Sequence, residues 1–224
     1  KTFGSVEEYE GGYSVQQTMD GGYIITGTTA SFSGILGPSY TGSYRYEYNT
    51  SSRVWLIKTD SQGNEEWNKT YLKTNSPWNT EIAHGHSVQQ TTDGGYIIVG
   101  SYLGSSEYSW DVFLIKVDSQ GNKEWNRTFD DNSYEVGSFV QQTMDGGYII
   151  AGTRELEGFP NAADIWVIKT DSMGNEEWDV VYGYYDGQHD NIGRSVKQTM
   201  DGGYIIVGTA YSYENSKNSI YLIK

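Results

Sequence analysis

The chain carries three histidines and no cysteine, which narrows the chemistry it could perform. His84 and His86 straddle Gly85, and His189 lies in a later segment between Asp186 and Asp190. Three imidazoles with a carboxylate form a ligand set for a divalent metal, provided the fold brings them together. Cleavage of a glycoside would need two carboxylates converging on one face. Glu107, Asp111, Glu135, Glu155 and Asp186 are available, but nothing in the sequence aligns a pair. Asp60, Ser61, Asn64 and Glu66 offer oxygens at close spacing, as a calcium loop does, yet they lack its alternating acidic ligands. An Asp-initiated turn, with the side chain bonded to local backbone, accounts for that pattern as well. Catalysis is therefore the third reading, and no catalytic residue, cofactor or metal is assigned.

Binding chemistry is better represented. The connection from Thr28 to Arg53 holds Phe32, Tyr40, Tyr44, Tyr46 and Tyr48 among Ser and Gly, and other connections add Trp78, Tyr184 and Tyr185. Rigid aromatics interspersed with small polar residues suit a recognition surface. The candidate ligand-binding set is Tyr13, Tyr44, Tyr46, Tyr48, Trp78, His86, Trp110, Tyr134, Tyr185, His189, Arg194 and Tyr213. The plainer alternative is that Tyr-rich loops only cover one end of the fold, since singly exposed aromatics are ordinary.

What must position these residues is a repeat. "QTMDGGYII" at 17–25 returns, nearly unchanged, at 90–98, 142–150 and 198–206. Each copy reads as four strands. "SVQQT" and "YIITGT" flank a DGG turn as strands a and b. "VWLIKTD" and "EEWNKTY" flank the polar turn "DSQGN" as strands c and d. No 3.6-residue period appears, which excludes a helical solenoid. Four antiparallel strands per unit is the module of a β-propeller blade. The expected fold is all-β: one domain over 1–224, a four-bladed propeller with blades at about 14–71, 87–129, 138–182 and 195–224 plus 1–4. The fourth copy stops after "IYLIK", while "KTF" at the start matches "KTY" at 69–71, so the N-terminal strand is expected to close the ring beside Ile220–Lys224. Pairing of the same three residues with a neighbouring molecule stays open.

The repeats also separate scaffold from site. The DGG turns, the Gln pairs (Gln16 and Gln17, Gln89 and Gln90, Gln141 and Gln142) and Trp67, Trp125 and Trp178 recur in register. The Gln pairs read as hydrogen bonds between blades, and the Trp residues as wedges between them. His86 aligns with Tyr13, Ser138 and Arg194, a variable position.

"DVFLIKVDSQGNKEWNRTF" followed by "GSFVQQTMDGGYIIAGT", with the pattern Asp60, Gly63, Trp67 repeated at Asp118, Gly121, Trp125 and at Asp171, Gly174, Trp178, resembles the SBBP-type bacterial and archaeal β-propeller repeats. It is more distantly similar to the repeats of pyrroloquinoline-quinone enzymes. The resemblance spans nearly the whole chain and implies a propeller of secreted or surface-exposed type. It brings no active site, because the quinone enzymes' catalytic acids and metal ligands map onto no position here.

A net charge of −14 argues against nucleic-acid backbone and anionic membrane as partners. No apolar run approaches a membrane span, and the chain opens at Lys1 without an initiator Met or a signal peptide, as expected of a mature or excised fragment. Asn49, Asn68 and Asn126 lie in glycosylation sequons, in keeping with an extracellular or cell-surface location. The expected function is a non-catalytic binding module engaging a glycan or protein through the aromatic loop face. A structural subunit of a surface layer or filament, self-assembling through blade edges, is the alternative.

Overall fold

In each repeat the DGG tripeptide makes a tight hairpin because Gly supplies a positive φ that other residues rarely adopt. Gly21 sits at φ 84°, its N–H bonds to Thr18 O, and Thr18 N–H bonds to Gly22 O, both at 2.9 Å. The computed structural model describes residues 1–4, 8–33, 49–71, 82–103, 110–130, 133–156, 159–183 and 189–224. Among these there is no helix. Strands β1 (Glu8–Gln17), β2 (Tyr23–Ser33), β3 (Asn49–Thr59) and β4 (Glu65–Tyr71) form the first sheet in chain order. The second is β5 (Ala83–Gln90), β6 (Tyr96–Leu103), β7 (Trp110–Val117) and β8 (Lys123–Phe129). The third is β9 (Glu135–Gln142), β10 (Tyr148–Leu156), β11 (Phe159–Thr170) and β12 (Glu176–Tyr182). The fourth has three strands, β13 (His189–Gln198), β14 (Tyr204–Ser212) and β15 (Lys217–Ile223). All neighbours within a sheet are antiparallel.

The sheets stack face to face in a β-propeller-like arrangement. Strand a of each sheet packs on strand a of the next, so β1, β5, β9 and β13 lie side by side. One apolar core fills each junction. Ile24, Val54 and Leu56 of the first sheet meet Val88, Tyr96 and Ile98 of the second. Val99, Val112 and Leu114 meet Val140, Tyr148 and Ile150 of the third, and Ala151, Ile165 and Val167 meet Val196 and Ile206 of the fourth. A single sheet could not bury these faces alone, which is why the unit repeats.

The outer faces of the stack use the same positions but are uncovered. Val15 is 64% exposed where its counterparts Val88, Val140 and Val196 are buried, and Ile220 is 84% exposed where Val54, Val112 and Ile165 are buried. Residues 1–4 form no strand here. Lys1 Nζ instead donates to Asn64 Oδ1 of the first sheet. The expected pairing of Lys1–Phe3 with β15 is thus not made in this structure, and β15 is an edge strand.

Candidate functional site

The variable position found in the sequence has one backbone cause. In every sheet the a–b pairing slips by one residue: between Gly12 and Ser14, Gly85 and Ser87, Gly137 and Phe139, and Gly193 and Ser195. The skipped residues are Tyr13, His86, Ser138 and Arg194. A β-bulge leaves its extra residue unpaired and re-aims the side chain. The glycine of strand b makes room for it. A Cβ on Gly27 would lie 1.9 Å from Gly11 O, and one on Gly100 would lie 1.9 Å from His84 O. The same device therefore presents four different side chains in four sheets.

Aromatic rings extend from these bulges across the first three sheets, at the end where strands a and c begin. Tyr13 meets His86 edge-on at 5.7 Å between ring centroids, His86 stacks on His84 at 6.3 Å, His84 stacks on Trp110 at 5.3 Å, and Trp110 meets Tyr134 at 6.3 Å. Tyr13 and Tyr134, at the two ends of this row, are exposed, and the three rings between are half-buried. A parallel bridge between Trp110 and Tyr134 ties the second sheet to the third at this point.

Hydrogen bonds fix the imidazoles. His86 Nδ1 lies 2.8 Å from Gly137 O, a carbonyl, so Nδ1 carries the proton and donates. His84 Nδ1 is 3.0 Å from Thr28 Oγ1 of the first sheet. Burial depresses the pKa of both rings, His86 adding to the effect at His84 and the Gly137 bond opposing it at His86. Both are neutral at pH 7 and present flat, uncharged rings. On the fourth sheet, exposed Arg194 shares its neighbourhood with Asp190, whose carboxyl burial pushes up and Arg194 pulls back, and Tyr213 packs edge-on against Tyr211 at 5.1 Å.

Of the expected ligand-binding set, then, Tyr13, His86, Trp110 and Tyr134 converge in one row, while Arg194 and Tyr213 stand apart on the fourth sheet. Tyr44, Tyr46, Tyr48, Trp78 and Tyr185 lie outside the described residues. His189 opens β13, but its side chain is outside the described part. His84 belongs to the row although the candidate set omitted it. Its signal was present: it is two residues from His86 near the start of a strand, where side chains two apart share a face. Of the three-histidine set, His84 and His86 stack with their planes 4° apart and neither enters a potential metal cluster among the described residues, while the side chain of His189 lies outside them.

At the opposite end of each sheet the structure repeats itself. Lys58 is buried and bonds Asp20 Oδ2 at 2.9 Å, Glu66 Oε2 at 2.9 Å and Thr59 O at 2.8 Å. Lys116 and Lys169 do the same with Asp93 and Glu124, and with Asp145 and Glu177. The bonds from Thr143 and Lys169 hold Asp145 down at about 2. This clamp was not read from the sequence, where the lysine looked like any strand residue. Asp60 Oδ1 accepts from Gln62 N–H and Asn64 N–H, both at 2.8 Å, so the c–d turn is an Asx-type turn with its acid occupied by backbone. Trp67, Trp125 and Trp178 pack edge-on against Tyr96, Tyr148 and Tyr204 of the following sheet, the wedge role expected of them. Gln16, Gln89 and Gln141 accept from the backbone N–H of Gln90, Gln142 and Gln198, which joins successive sheets.

Asn68 and Asn126 are exposed on the outer strands, and Asn49 starts β3. Asn68 Nδ2, the atom a glycan would occupy, donates to Glu65 Oε1 at 2.6 Å, and its Oδ1 accepts from Trp55 at 3.3 Å. Another group was not anticipated as a unit. Asp111, Asp130 and Glu135 bring one oxygen each within 4.8 Å of one another.

No family model matches the chain, and no curated protein matches it in sequence. Among solved structures, a mutant of the Synechocystis apocarotenoid oxygenase is similar over 94% of this chain and 49% of that one, with 12% identity and a TM-score of 0.39. This chain thus spans about half the length of that protein. Neither the fold nor the activity of this chain follows from a likeness of that size.

Proposed function

We propose that the chain is a non-catalytic binding module of a secreted or cell-surface protein, a β-propeller of the SBBP-like type, that captures a glycan or protein ligand at the bulge end of its sheets. The observation that carries this reading is the bulge itself, one backbone device holding Tyr13, His86, Ser138 and Arg194 in turn, with an aromatic row running from two of them. A fold that only needed to close its surface would have no use for a repeated kink that re-aims a different side chain each time. Neutral stacked rings flanked by exposed tyrosines suit a sugar face or an apolar peptide side chain. A glycan and peptide array probed with the purified protein tests this. Tyr13→Ala together with Tyr134→Ala should abolish capture of whatever the parent binds, and capture unchanged in that variant would sink the reading.

The finer architecture is also a proposal: four blades closed into one ring, with residues 1–4 beside β15. It is supported by the two uncovered faces, which carry the residues that pack together at all three junctions. Cysteines introduced at Thr2 and Tyr221, in a chain with none of its own, should form a disulfide within one molecule on oxidation. Disulfides formed only between molecules would overturn closure in one chain. They would favour the second reading, a structural subunit that assembles head to tail through Val15 and Ile220.

A further inference from the structure

Each junction between sheets places a residue of strand c beside the start of the next strand a. At the first junction these are Arg53 and Ala83. At the third they are Asp164 and Asn191, and Asn191 Nδ2 donates to Asp164 Oδ1 at 2.7 Å, so a neutral amide meets a carboxylate. At the second they are Asp111 and Glu135, two carboxylates that are 2% and 0% exposed. A third carboxylate, exposed Asp130, joins them from the end of β8, where the third junction has Gly183. Three acids therefore gather where a neighbouring junction uses one acid, one amide and a glycine.

One oxygen of this group points to what is missing. Glu135 Oε1 accepts from Ser133 Oγ–H at 2.6 Å and from Ser133 N–H at 3.2 Å. Glu135 Oε2 is buried and has no hydrogen-bond partner among the described residues. A buried carboxylate oxygen without a donor is costly, and more so beside a second buried carboxylate. A cation removes both costs together.

We infer that Asp111, Asp130 and Glu135 bind a divalent cation, calcium by preference, at the junction of the second and third sheets. The ligands are all hard oxygens, which suit calcium or magnesium rather than a thiolate- or imidazole-seeking metal. Carboxylate oxygens within 4.8 Å of one another can all reach one calcium at about 2.3 to 2.6 Å, and the irregular set fits an ion that tolerates variable geometry better than magnesium, which demands a near-ideal octahedron. Asp130, being exposed, gives an entry path and leaves room for water to complete the shell. The sequence does not announce the site, because the three acids come from strand c, the end of strand d and the next strand a, and only the stacking of sheets collects them.

The site stands independently of the ligand proposal but adjoins its surface. Asp111 follows Trp110 and Glu135 follows Tyr134, so the ion would lock the bridge that joins the two sheets beneath the aromatic row.

Calcium titration calorimetry and thermal melting of the full chain, after dialysis against a chelator, test the inference. Calcium should bind with a measurable heat and raise the melting temperature, with magnesium giving less, and terbium in the site should show luminescence sensitised by nearby Trp110. Asp130→Asn, a change at an exposed residue, should weaken the heat and the terbium signal while the chelator-treated variant melts like the parent, and Glu135→Gln should remove both. Equal melting temperatures in chelator and in excess calcium, with no heat, would overturn the site. So would terbium luminescence that persists in Glu135→Gln. Array capture by the parent that is lost in Tyr13→Ala with Tyr134→Ala, together with no effect of calcium on heat or melting, would overturn the cation and leave the binding surface standing.

Discussion

The two ends of every sheet obey different rules. At the turn end, four copies agree in residue and in contact: Thr, Asp and two Gly close the hairpin, and a lysine from strand c reaches across to the Asp. At the bulge end, four copies agree in backbone and differ in side chain. Agreement in both marks what every junction needs in order to pack. Agreement in backbone alone marks a scaffold that has been freed to vary its message. The difference locates the candidate site without any knowledge of its ligand.

The strongest way to break this comparison is to truncate one residue from each class. Trp125 packs on Tyr148 at 5.8 Å, lies against Gly174 and carries Arg127 over its ring at 5.5 Å, so it belongs to the junction. Trp125→Ala should cost about 3 kcal/mol, the low end for a large aromatic because the ring is only half-buried, and leave ligand capture intact. Tyr134→Ala should cost under about 1 kcal/mol, since the ring is partly exposed and has Trp110 as its only ring partner described, while capture falls. Chemical denaturation and the array, run on the same two variants, give the answer. A similar stability loss from both would show that the aromatic row is merely a further core.

The hairpins and the Trp wedges of the turn end are legible in the sequence because their causes are local, whereas the lysine clamp is not, since it joins strand c to the a–b turn. DGG makes a hairpin wherever it occurs, and a repeated Trp in register has to serve every junction. The row was legible only in part. Tyr13, His86, Trp110 and Tyr134 are visible as aromatic residues at one end, but the bulge that selects two of those positions, Tyr13 and His86, is a pairing slip between strands, and no residue type announces it except the strand-b glycine that looks like ordinary strand punctuation. The acid cluster was not legible at all. Asp111 and Glu135 stand in the sequence among five acids that nothing aligns into a pair, Asp130 is not singled out there, and the meeting of the three depends on the stagger between neighbouring sheets.

A smaller effect separates copies within the turn end itself. Lys116 is 4% exposed and bonds Asp93, Glu124 and Val117 O, whereas Lys224 is 64% exposed and, among the described residues, bonds Asp201 alone, at 3.0 Å. The fourth sheet has no strand d among the described residues, so no counterpart of Glu124 and no covering strand reach it. Lys116→Met should cost about 2 kcal/mol, chiefly charged hydrogen bonds lost, and Lys224→Met should stay within about 0.5 kcal/mol. Equal costs in a melting experiment would mean that the lysine of the fourth sheet is covered in solution, which would support closure of the ring.

The smallest effect sits in the row and is read through pH. His84 and His86 stack with parallel rings, and burial holds both below the ordinary value of 6.5. The folded state therefore takes up protons at lower pH than the unfolded state. Stability from these two groups is complete above 6.5 and is lost as pH falls from there through the depressed folded values, because unfolding then binds protons. The loss should be on the order of 1 kcal/mol or less, since both rings remain partly open to solvent. His84→Asn with His86→Asn keeps an amide donor near Gly137 O and removes both titrations, so the variant should melt with a flatter dependence between neutral pH and about pH 5. Glu135, which burial pushes up to about 7, titrates in the same window with the opposite sign, but it is common to both proteins and cancels in the difference. Identical pH dependence in parent and variant would show that the imidazoles are no more shielded than free histidine. The stack would then be a surface accident, and the bulge would lose its claim to hold the rings in place for a ligand.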